Sequence, residues 1–200
     1  MSTRLNLLPD PALERLKPAL AERLAAIGAS IDAEQFRTLL DPLMRRVLQS
    51  GFIEAGAHEG TVWLLDGARE NLVAAFNTGP DADKIMRGFK QPLNSGLICM
   101  VFASEQPFLE NEIRRNAQQS RLLDTMLQTE THAMIAVPFY FLKSCRGVVS
   151  CVQRKTPGSG EPDPPGFQPA HLAIIEQTSA ALSRLIDFRL LGQVTGWIDE

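Results

Sequence analysis

The chain has 200 residues, 44% of them hydrophobic, and its 20 lysines and arginines against 23 aspartates and glutamates give a net charge of −3. A chain of this length buries enough surface to fold as one domain without disulfides or metal, and this composition excludes a disordered polymer. The slightly acidic balance disfavours a general nucleic-acid binder, so we expect no nucleic-acid partner.

Three further features bear on location and redox chemistry. The N-terminal MSTRLNLLPD contains too short an apolar patch for a secretory signal. The longest apolar stretch, AMIAVPFYFL at Ala133–Leu142, is far shorter than the ~20 residues of a membrane span. We therefore expect a cytoplasmic protein without a membrane partner. Cys99, Cys145 and Cys151 form neither a disulfide framework nor a CxxC pair, so we expect no metal site.

The first quarter of the chain has a helical pattern. Apolar residues recur every three or four positions over Leu13–Ile27 and form one stripe. Asp32 followed by Gln35 predicts a capping box that opens a second helix. The dipeptide Asp41-Pro42 predicts a kink or break inside that helix.

The pattern then changes to that of β-strands. Thr61–Asp66 and Asn71–Asn77 are predicted to form a hairpin, and Phe89–Leu93 a short third strand. A short helix is predicted over Leu97–Glu105, and a longer one, polar on one side, over residues 111–129.

Two apolar strands are predicted next, over Ala133–Phe141 and Gly147–Gln153. Pro138 within the first of them indicates an edge position or a bulge. A Pro/Gly-rich loop over residues 154–169 leads to a closing helix over residues 170–190. Strands joined in hairpins, with helices before, between and after them, predict an α+β fold around an antiparallel sheet.

In this order and spacing, the segments resemble a GAF domain over residues 33–190. The resemblance lies in the hairpin GTVWLLD–NLVAAFN, the segment QPLNSGLICMVFASEQPFLEN, the Val-Pro strand pair AMIAVPFYFLKSCRGVVSCVQRK and the closing helix FQPAHLAIIEQTSAALSRLI. It implies a GAF-like, PAS-related central antiparallel sheet. The N- and C-terminal helices would pack on one face, and short helices and loops would roof a pocket on the other. We accordingly divide the chain into an N-terminal helical extension (1–32), a GAF domain (33–192) and a C-terminal tail (193–200).

The resemblance also implies a function. GAF domains are sensory and regulatory modules, so we expect a cytoplasmic domain that binds a small molecule. A homodimer through the first and last helices would use the stripes Leu13–Ile27 and Leu172–Ile186. Because no output domain follows the last predicted helix, we expect the signal to pass through these helices or to a separate signalling protein. The sequence identifies neither the ligand nor a cofactor.

The predicted pocket lies between the sheet and the segment 94–131 that would roof it. Its predicted ligand-binding residues are Phe89, Ser95, Gly96, Cys99, Phe102, His132 and Met134. The phase of the strand decides whether His132 and Met134 face the pocket, since a slip of one residue turns both away. A capping or solvent-facing role is the favoured explanation for a His at a strand start, with ligand binding by His132 as the alternative.

Catalysis is disfavoured by the placement of the cysteines. GAF-fold free methionine sulfoxide reductases have a cysteine near the position of Cys99 but need another in the loop before the Val-Pro strand. That loop, Leu127–Ala133, has none, and Cys99 is also explained as a small buried hydrophobe. The chain also lacks the Cys-His pair of bilin attachment, a cyclic-nucleotide signature, GxSxG and Gly-rich phosphate loops. We therefore expect no catalytic residue and no enzyme. A redox enzyme using Cys99 and a ligand-free dimerisation scaffold are the alternatives.

Overall fold

The computed structural model describes residues 11–158, 160 and 162–197. Residues 1–10 of the predicted N-terminal extension and 198–200 of the predicted tail lie outside the described residues. The N-terminal part contains four helices, α1 (Pro11–Glu14), α2 (Lys17–Ser30), α3 (Ala33–Leu39) and α4 (Pro42–Glu54).

Local side-chain hydrogen bonds set the starts of α3 and α4. The carboxylate of Asp32 accepts from the Gln35 amide, and the side-chain oxygen of Gln35 accepts from the Asp32 amide. These two bonds confirm the predicted capping box. The predicted break lies between α3 and α4. Pro42 occupies the first turn of α4, and the Asp41 carboxylate accepts from the Met44 amide at 2.8 Å.

In the rest of the described chain there are six strands and four α-helices, besides a short 3-10 turn. The strands are β1 (Glu59–Leu65), β2 (Asn71–Asn77), β3 (Lys90–Pro92), β4 (Phe108–Glu110), β5 (Glu130–Phe141) and β6 (Ser144–Lys155). The helices are α5 (Ala82–Gly88), α6 (Leu97–Ser104), α7 (Leu122–Leu127) and α8 (Pro169–Thr195). The strands form one sheet in the order β3-β2-β1-β6-β5-β4, and every neighbouring pair is antiparallel. The predicted α+β class with an antiparallel sheet is confirmed.

Pro138 is accommodated near an edge of this sheet. β4 pairs only with Met134–Ala136 of β5, so Pro138 lies beyond its end. On that side, no strand among the described residues neighbours β5 at this position, and a missing amide donor costs little there.

Two apolar layers cover the two faces of the sheet. On one face α3, α4 and α8 enclose a core whose largest fully buried side chains include Phe36, Leu48, Phe139, Phe141 and Ile175. On the other face α5, α6 and α7 pack on a second cluster that includes Trp63, Leu72, Ile85, Ile98 and Val148. Terminal helices on one face and short helices on the other is the arrangement expected from the sequence.

The closing helix differs from its prediction in length and in the role of its apolar stripe. It continues to Thr195, beyond the predicted end at residue 190. Ile175, Leu182 and Ile186, which the predicted dimer stripe contains, are buried in this chain's own core. The large apolar side chains of α8 that remain exposed are Phe188 and Leu191.

The helix predicted over residues 111–129 is wrong. The segment forms a short 3-10 turn at Ile113–Arg115, a loop, and then α7. Ala117 is the only apolar residue of the segment 116–121, so the helical stripe is not continued there. The Asn116 side chain also accepts from the Gln118 amide, a local bond that competes with a helix. None of the described helices is long and apolar enough to cross a bilayer.

Candidate functional site

A cavity of about 60 Å³ lies between the sheet and the layer of short helices. Its floor is formed by β1, β5 and β6, its side by β3, and its roof by the start of α6 and the segment 119–124. Since a water molecule needs roughly 10–15 Å³ of such space, the cavity has room for about four to six waters. This volume is much smaller than that of a nucleotide or a tetrapyrrole.

Aromatic and apolar side chains cover much of this cavity. Trp63 and Phe89 meet edge to face, with ring centroids 6.0 Å apart. The Trp63 indole N–H donates to Ser150 Oγ at 2.9 Å, so its polar atom is satisfied inside the protein. The other apolar lining residues are Leu97, Ile98, Leu123, Met134 and Val152.

A buried ion pair forms the charged part of the lining. Arg154 Nη2 lies 2.5 Å from Glu59 Oε1, and the two side chains are only 11% and 4% exposed. Burial raises the pKa of Glu59, while the charge of Arg154 and a hydrogen bond from Asn77 oppose that shift. Arg154 Nε is buried without a hydrogen-bond partner. This end of the cavity therefore holds an unused donor beside a carboxylate.

Asp124 attaches the roof to the sheet. Its carboxylate accepts from the Thr131 hydroxyl at 2.7 Å, from the Thr131 amide at 3.1 Å and from Gln119 Nε2 at 2.9 Å. Asp124 belongs to α7 and Thr131 to β5, and both line the cavity. A molecule in the cavity would thus touch the groups that hold the roof in place.

The start of α6 approaches the opposite part of the roof closely. Gly96 has a φ of +91°, a backbone conformation that side chains rarely adopt. A Cβ at Gly96 would lie 3.0 Å from Ser120 Cβ and 3.2 Å from Gln91 Nε2. Gln91 Nε2 in turn donates to the Ser95 carbonyl at 2.9 Å. This corner of the cavity is built around a glycine.

The structure brings together some of the residues predicted from sequence. Phe89, Gly96 and Met134 line the cavity.

The side chains of the other predicted residues do not line the cavity. Cys99 and Phe102 pack in the apolar layer of α6. Ser95 flanks the cavity, where its carbonyl and its hydroxyl both accept from Gln91 Nε2, at 2.9 and 3.4 Å. His132 lines an open surface groove with Glu130, Lys155 and Asp163.

A β-bulge explains the position of His132. Pairing with β6 passes from Thr131 opposite Arg154 to Ala133 opposite Gln153, so His132 has no partner in the register. The bulge reverses the alternation of faces at this point, and Thr131, rather than His132, lines the cavity with Met134.

Sequence reasoning missed the polar floor of the cavity. Glu59, Thr61 and Trp63 of β1 and Ser150, Val152 and Arg154 of β6 all line the cavity. Each set recurs with period two on neighbouring strands, so its members share one face of the sheet. Polar residues at that period in otherwise apolar strands were the signal available in the sequence.

The three cysteines are held as neutral thiols. Burial raises the pKa of Cys99 to about 11 and that of Cys151 to about 12, and it also raises the pKa of Cys145. Cys99 Sγ donates to the Pro92 carbonyl at 3.3 Å. Among the residues that the structure describes, no group of three or more histidines, cysteines or acidic residues could hold a metal ion.

Solved structures similar to this chain share its architecture at low sequence identity. The GAF domain of a phosphoenolpyruvate-protein phosphotransferase from Coxiella burnetii is 13% identical, with a TM-score of 0.59 over 94% of this chain and 100% of that one. A GAF domain/HD domain protein from Geobacter sulfurreducens is 15% identical, with a TM-score of 0.58 over 79% and 95%. A free methionine-R-sulfoxide reductase from Neisseria meningitidis, in complex with its substrate, is 14% identical, with a TM-score of 0.54 over 97% and 99%.

Comparison by sequence alone identifies no relative of this chain. No protein-family model matches the chain, and a search of curated proteins finds no match. The assignment therefore depends on the strand order, the two helical layers and the similarity to several GAF structures. On that evidence, the chain is a protein of the GAF fold.

Proposed function

We propose that this chain is a cytoplasmic regulatory domain that binds a small polar molecule in the cavity between the sheet and its roof. The observation that carries the proposal is the buried Glu59–Arg154 pair, which lines the same cavity as Trp63 and Phe89. Ligand sites are mostly apolar with a few convergent polar groups. A buried ion pair often stabilises a fold no better than apolar residues of similar volume, so its presence at a cavity supports a role in binding.

The size and lining of the cavity limit the ligand. Room for about four to six waters suits a metabolite of amino-acid scale and excludes the larger known classes of GAF ligand unless the roof opens. The ligand would contact the apolar faces of Trp63 and Met134 at one end. At the other end it would exchange hydrogen bonds with Arg154 and Asp124.

The signal would leave through the roof and the terminal helices. Asp124 joins α7 to β5, so a ligand that competes for its hydrogen bonds would change how the roof is attached. The exposed apolar side chains Leu43 and Ile53 of α4 and Phe188 and Leu191 of α8 are available to a second copy or to a signalling partner. Leu13 and Leu16, in and after α1, are also exposed, in keeping with a dimer through the first and last helices.

A thermal-shift screen with a library of amino acids, organic acids and nucleosides tests the binding proposal. A ligand at 100 times its Kd adds about 2.7 kcal/mol of stability, which shifts Tm by several degrees. Ser120→Leu would fill the cavity, since Ser120 lines it. Gln118→Leu, an exposed position in the same loop, is the matched control. We expect a compound that raises the Tm of the natural protein and of Gln118→Leu but not that of Ser120→Leu. Should no compound do so while the protein is dimeric, the ligand-free scaffold is the better description.

The second candidate is a thiol-dependent reductase, favoured by the similarity to two free methionine-R-sulfoxide reductases. The environment of Cys99 opposes it, because burial raises the pKa of its thiol to about 11 and its sulfur donates to a carbonyl. Thiolate is the nucleophilic form, and little of it exists near neutral pH at that pKa. We expect no reduction of free methionine-R-sulfoxide by the purified protein with a thiol reductant. Activity that Cys99→Ser abolishes would make the chain an enzyme.

A further inference from the structure

A second cavity, of about 90 Å³, lies at a different place in the molecule. Its walls are the end of α2 and the residues that follow it, Gly28–Asp32, together with the turn between β1 and β2 and the start of β6. It therefore lies where the N-terminal helices meet the ends of two hairpins. Arg69 and Arg146 are the two cations in its lining.

Arg146 is held against this cavity without a partner for its charge. Its guanidinium lies over the Phe141 ring, 5.7 Å from the centroid, and a Cβ on Gly28 would be 3.0 Å from Nη2. Arg146 Nε is buried and makes no hydrogen bond. In residues 11–158, 160 and 162–197, no carboxylate lies within 4.0 Å of the guanidinium.

The charged group that most affects Arg146 is another cation. Desolvation by burial lowers the pKa of Arg146, and the positive charge of Arg69 lowers it further. Arg69 belongs to the turn between β1 and β2 and has a φ of +59°, the left-handed region that costs a non-glycine residue free energy. Two positive charges are thus held near each other in a cavity wall.

The two carboxylates that line the same cavity are already engaged. Asp32 Oδ1 accepts from the amides of Glu34 and Gln35 at 2.9 and 2.8 Å. Asp66 Oδ1 accepts from the amides of Glu70 and Asn71, and Oδ2 accepts from the Asn71 side chain at 2.8 Å. Both hold turns and caps in place, and among the described residues neither forms an ion pair with Arg69 or Arg146.

We propose that this cavity binds a small oxyanion, a carboxylate or a phosphate group, between Arg146 and Arg69. A guanidinium presents parallel N–H donors that match two oxygens of such a group, and charge-assisted bonds of this kind are strong. The bound anion joins α2 to the ends of both hairpins, so it stabilises the docking of the N-terminal helix on the domain. The site is separate from the cavity over the sheet, and neither proposal depends on the other.

A purely structural role for Arg146 gives different expectations. A cation at the C-terminal end of α2 interacts favourably with the helix dipole, and at equal ionic strength this interaction does not depend on which anion is present. Removing the charge of Arg69, in contrast, relieves the repulsion between Arg69 and Arg146 only if Arg146 stays charged and unpaired. The response to anions and the effect of Arg69→Gln in chloride therefore distinguish the two roles.

Thermal unfolding in sodium phosphate, sodium malonate and sodium chloride at equal ionic strength tests the proposal. Phosphate and malonate also stabilise proteins by exclusion from their surface, an effect that does not saturate and that every variant shares. The informative quantity is therefore the difference between the natural protein and Arg146→Gln. For the natural protein we expect phosphate or malonate to raise Tm saturably, by about 2 °C or more relative to chloride. The apparent affinity for the anion should be reduced about tenfold or more in Arg146→Gln. It should also be reduced in Arg69→Gln.

Arg184→Gln, which changes an exposed arginine on α8, is the matched control and should respond as the natural protein does. Arg69→Gln should have a Tm in chloride at least as high as that of the natural protein, and it changes an exposed turn residue, so its fold is secure. A response to phosphate alone identifies a phosphate group as the ligand, and a response to malonate alone identifies a carboxylate. Equal responses of the natural protein, Arg146→Gln and Arg69→Gln to both anions would overturn the site.

Discussion

At the scale of single residues, the Glu59–Arg154 pair both lines the candidate site and affects the stability of the fold. Arg154→Gln would leave the Glu59 carboxylate buried without its counter-charge, at a cost of about 3–5 kcal/mol. The neighbouring Lys155 pairs with Asp163 at the surface, so Lys155→Gln should cost less than about 1 kcal/mol. Urea unfolding of both variants measures the contrast, and similar losses would contradict the burial argument.

The same pair predicts a pH dependence with a definite sign. Burial raises the pKa of Glu59 above its ordinary value of 4.5, so the folded protein keeps a proton that the unfolded chain releases. The contribution of Glu59 to stability therefore falls as pH rises from 4.5 through the folded pKa. Arg154→Gln raises that folded pKa further, so its stability deficit should grow from pH 4.5 to neutral pH. A stability deficit of Arg154→Gln that does not change with pH would show that the charge of Arg154 does not affect the pKa of Glu59.

The residue scale is also where sequence-based prediction was least complete. Phe89, Gly96 and Met134 were predicted for the pocket and line the cavity, because the segments that carry them were located correctly. His132 was placed by counting every second residue from Met134, and the bulge between Thr131 and Ala133 interrupts that count. A bulge depends on the register with a partner strand, which the sequence of one strand does not contain.

At the scale of elements, the crossing of α4 and α8 depends on one glycine. A Cβ at Gly51 would lie 2.1 Å from Thr178 Oγ1, and that hydroxyl is held by a hydrogen bond to the Ile174 carbonyl. Gly51→Ala should therefore destabilise the fold by about 1–3 kcal/mol, although alanine is the better helix former.

Thr178→Ala removes the two nearest atoms and should recover part of that loss in the double variant. Ser50→Ala, at an exposed position beside Gly51, serves as the control and should change stability by less than about 0.5 kcal/mol. Chemical denaturation of the four proteins gives the coupling. Additive effects of Gly51→Ala and Thr178→Ala would mean that α4 and α8 move apart, so that the alanine methyl group at position 51 does not touch Thr178.

Elements set by local hydrogen bonds were predicted well from the sequence. Asp32 with Gln35, and Asp41 with Pro42, determine the helix starts through bonds within four residues, and both signals were read correctly. Residues 116–121 were given to a helix that does not form, because their conformation depends on contacts such as that of Gln119 with Asp124. Whether an apolar stripe faces the chain's own core or another protein is likewise a tertiary property, as α8 shows.

At the scale of the whole molecule, exposed apolar side chains support the proposed dimer. Phe188 is 66% exposed on α8, and Leu43 and Ile53 are exposed on α4, which packs against α8. Isolated apolar side chains on a surface are ordinary, whereas several on one pair of packed helices favour an interface. We expect light scattering at micromolar concentration to give the mass of a dimer, and Phe188→Glu to give that of a monomer.

Gln177→Glu adds the same charge at an exposed position of the same helix and should leave the dimer intact. A monomeric natural protein, or a dimer that survives Phe188→Glu, would remove α8 from the proposed interface.

The proposed binding of a small molecule over the sheet is tested most directly by the fluorescence of Trp63. The chain has two tryptophans, and Trp197 is 88% exposed while Trp63 is 3% exposed in the cavity wall. Trp197→Phe therefore leaves a single reporter inside the site. Titrating this variant with a library of amino acids, organic acids and nucleosides should reveal a compound that changes the Trp63 emission saturably, and Ser120→Leu should abolish the change. No change with any compound, or a change that persists in Ser120→Leu, would contradict the account.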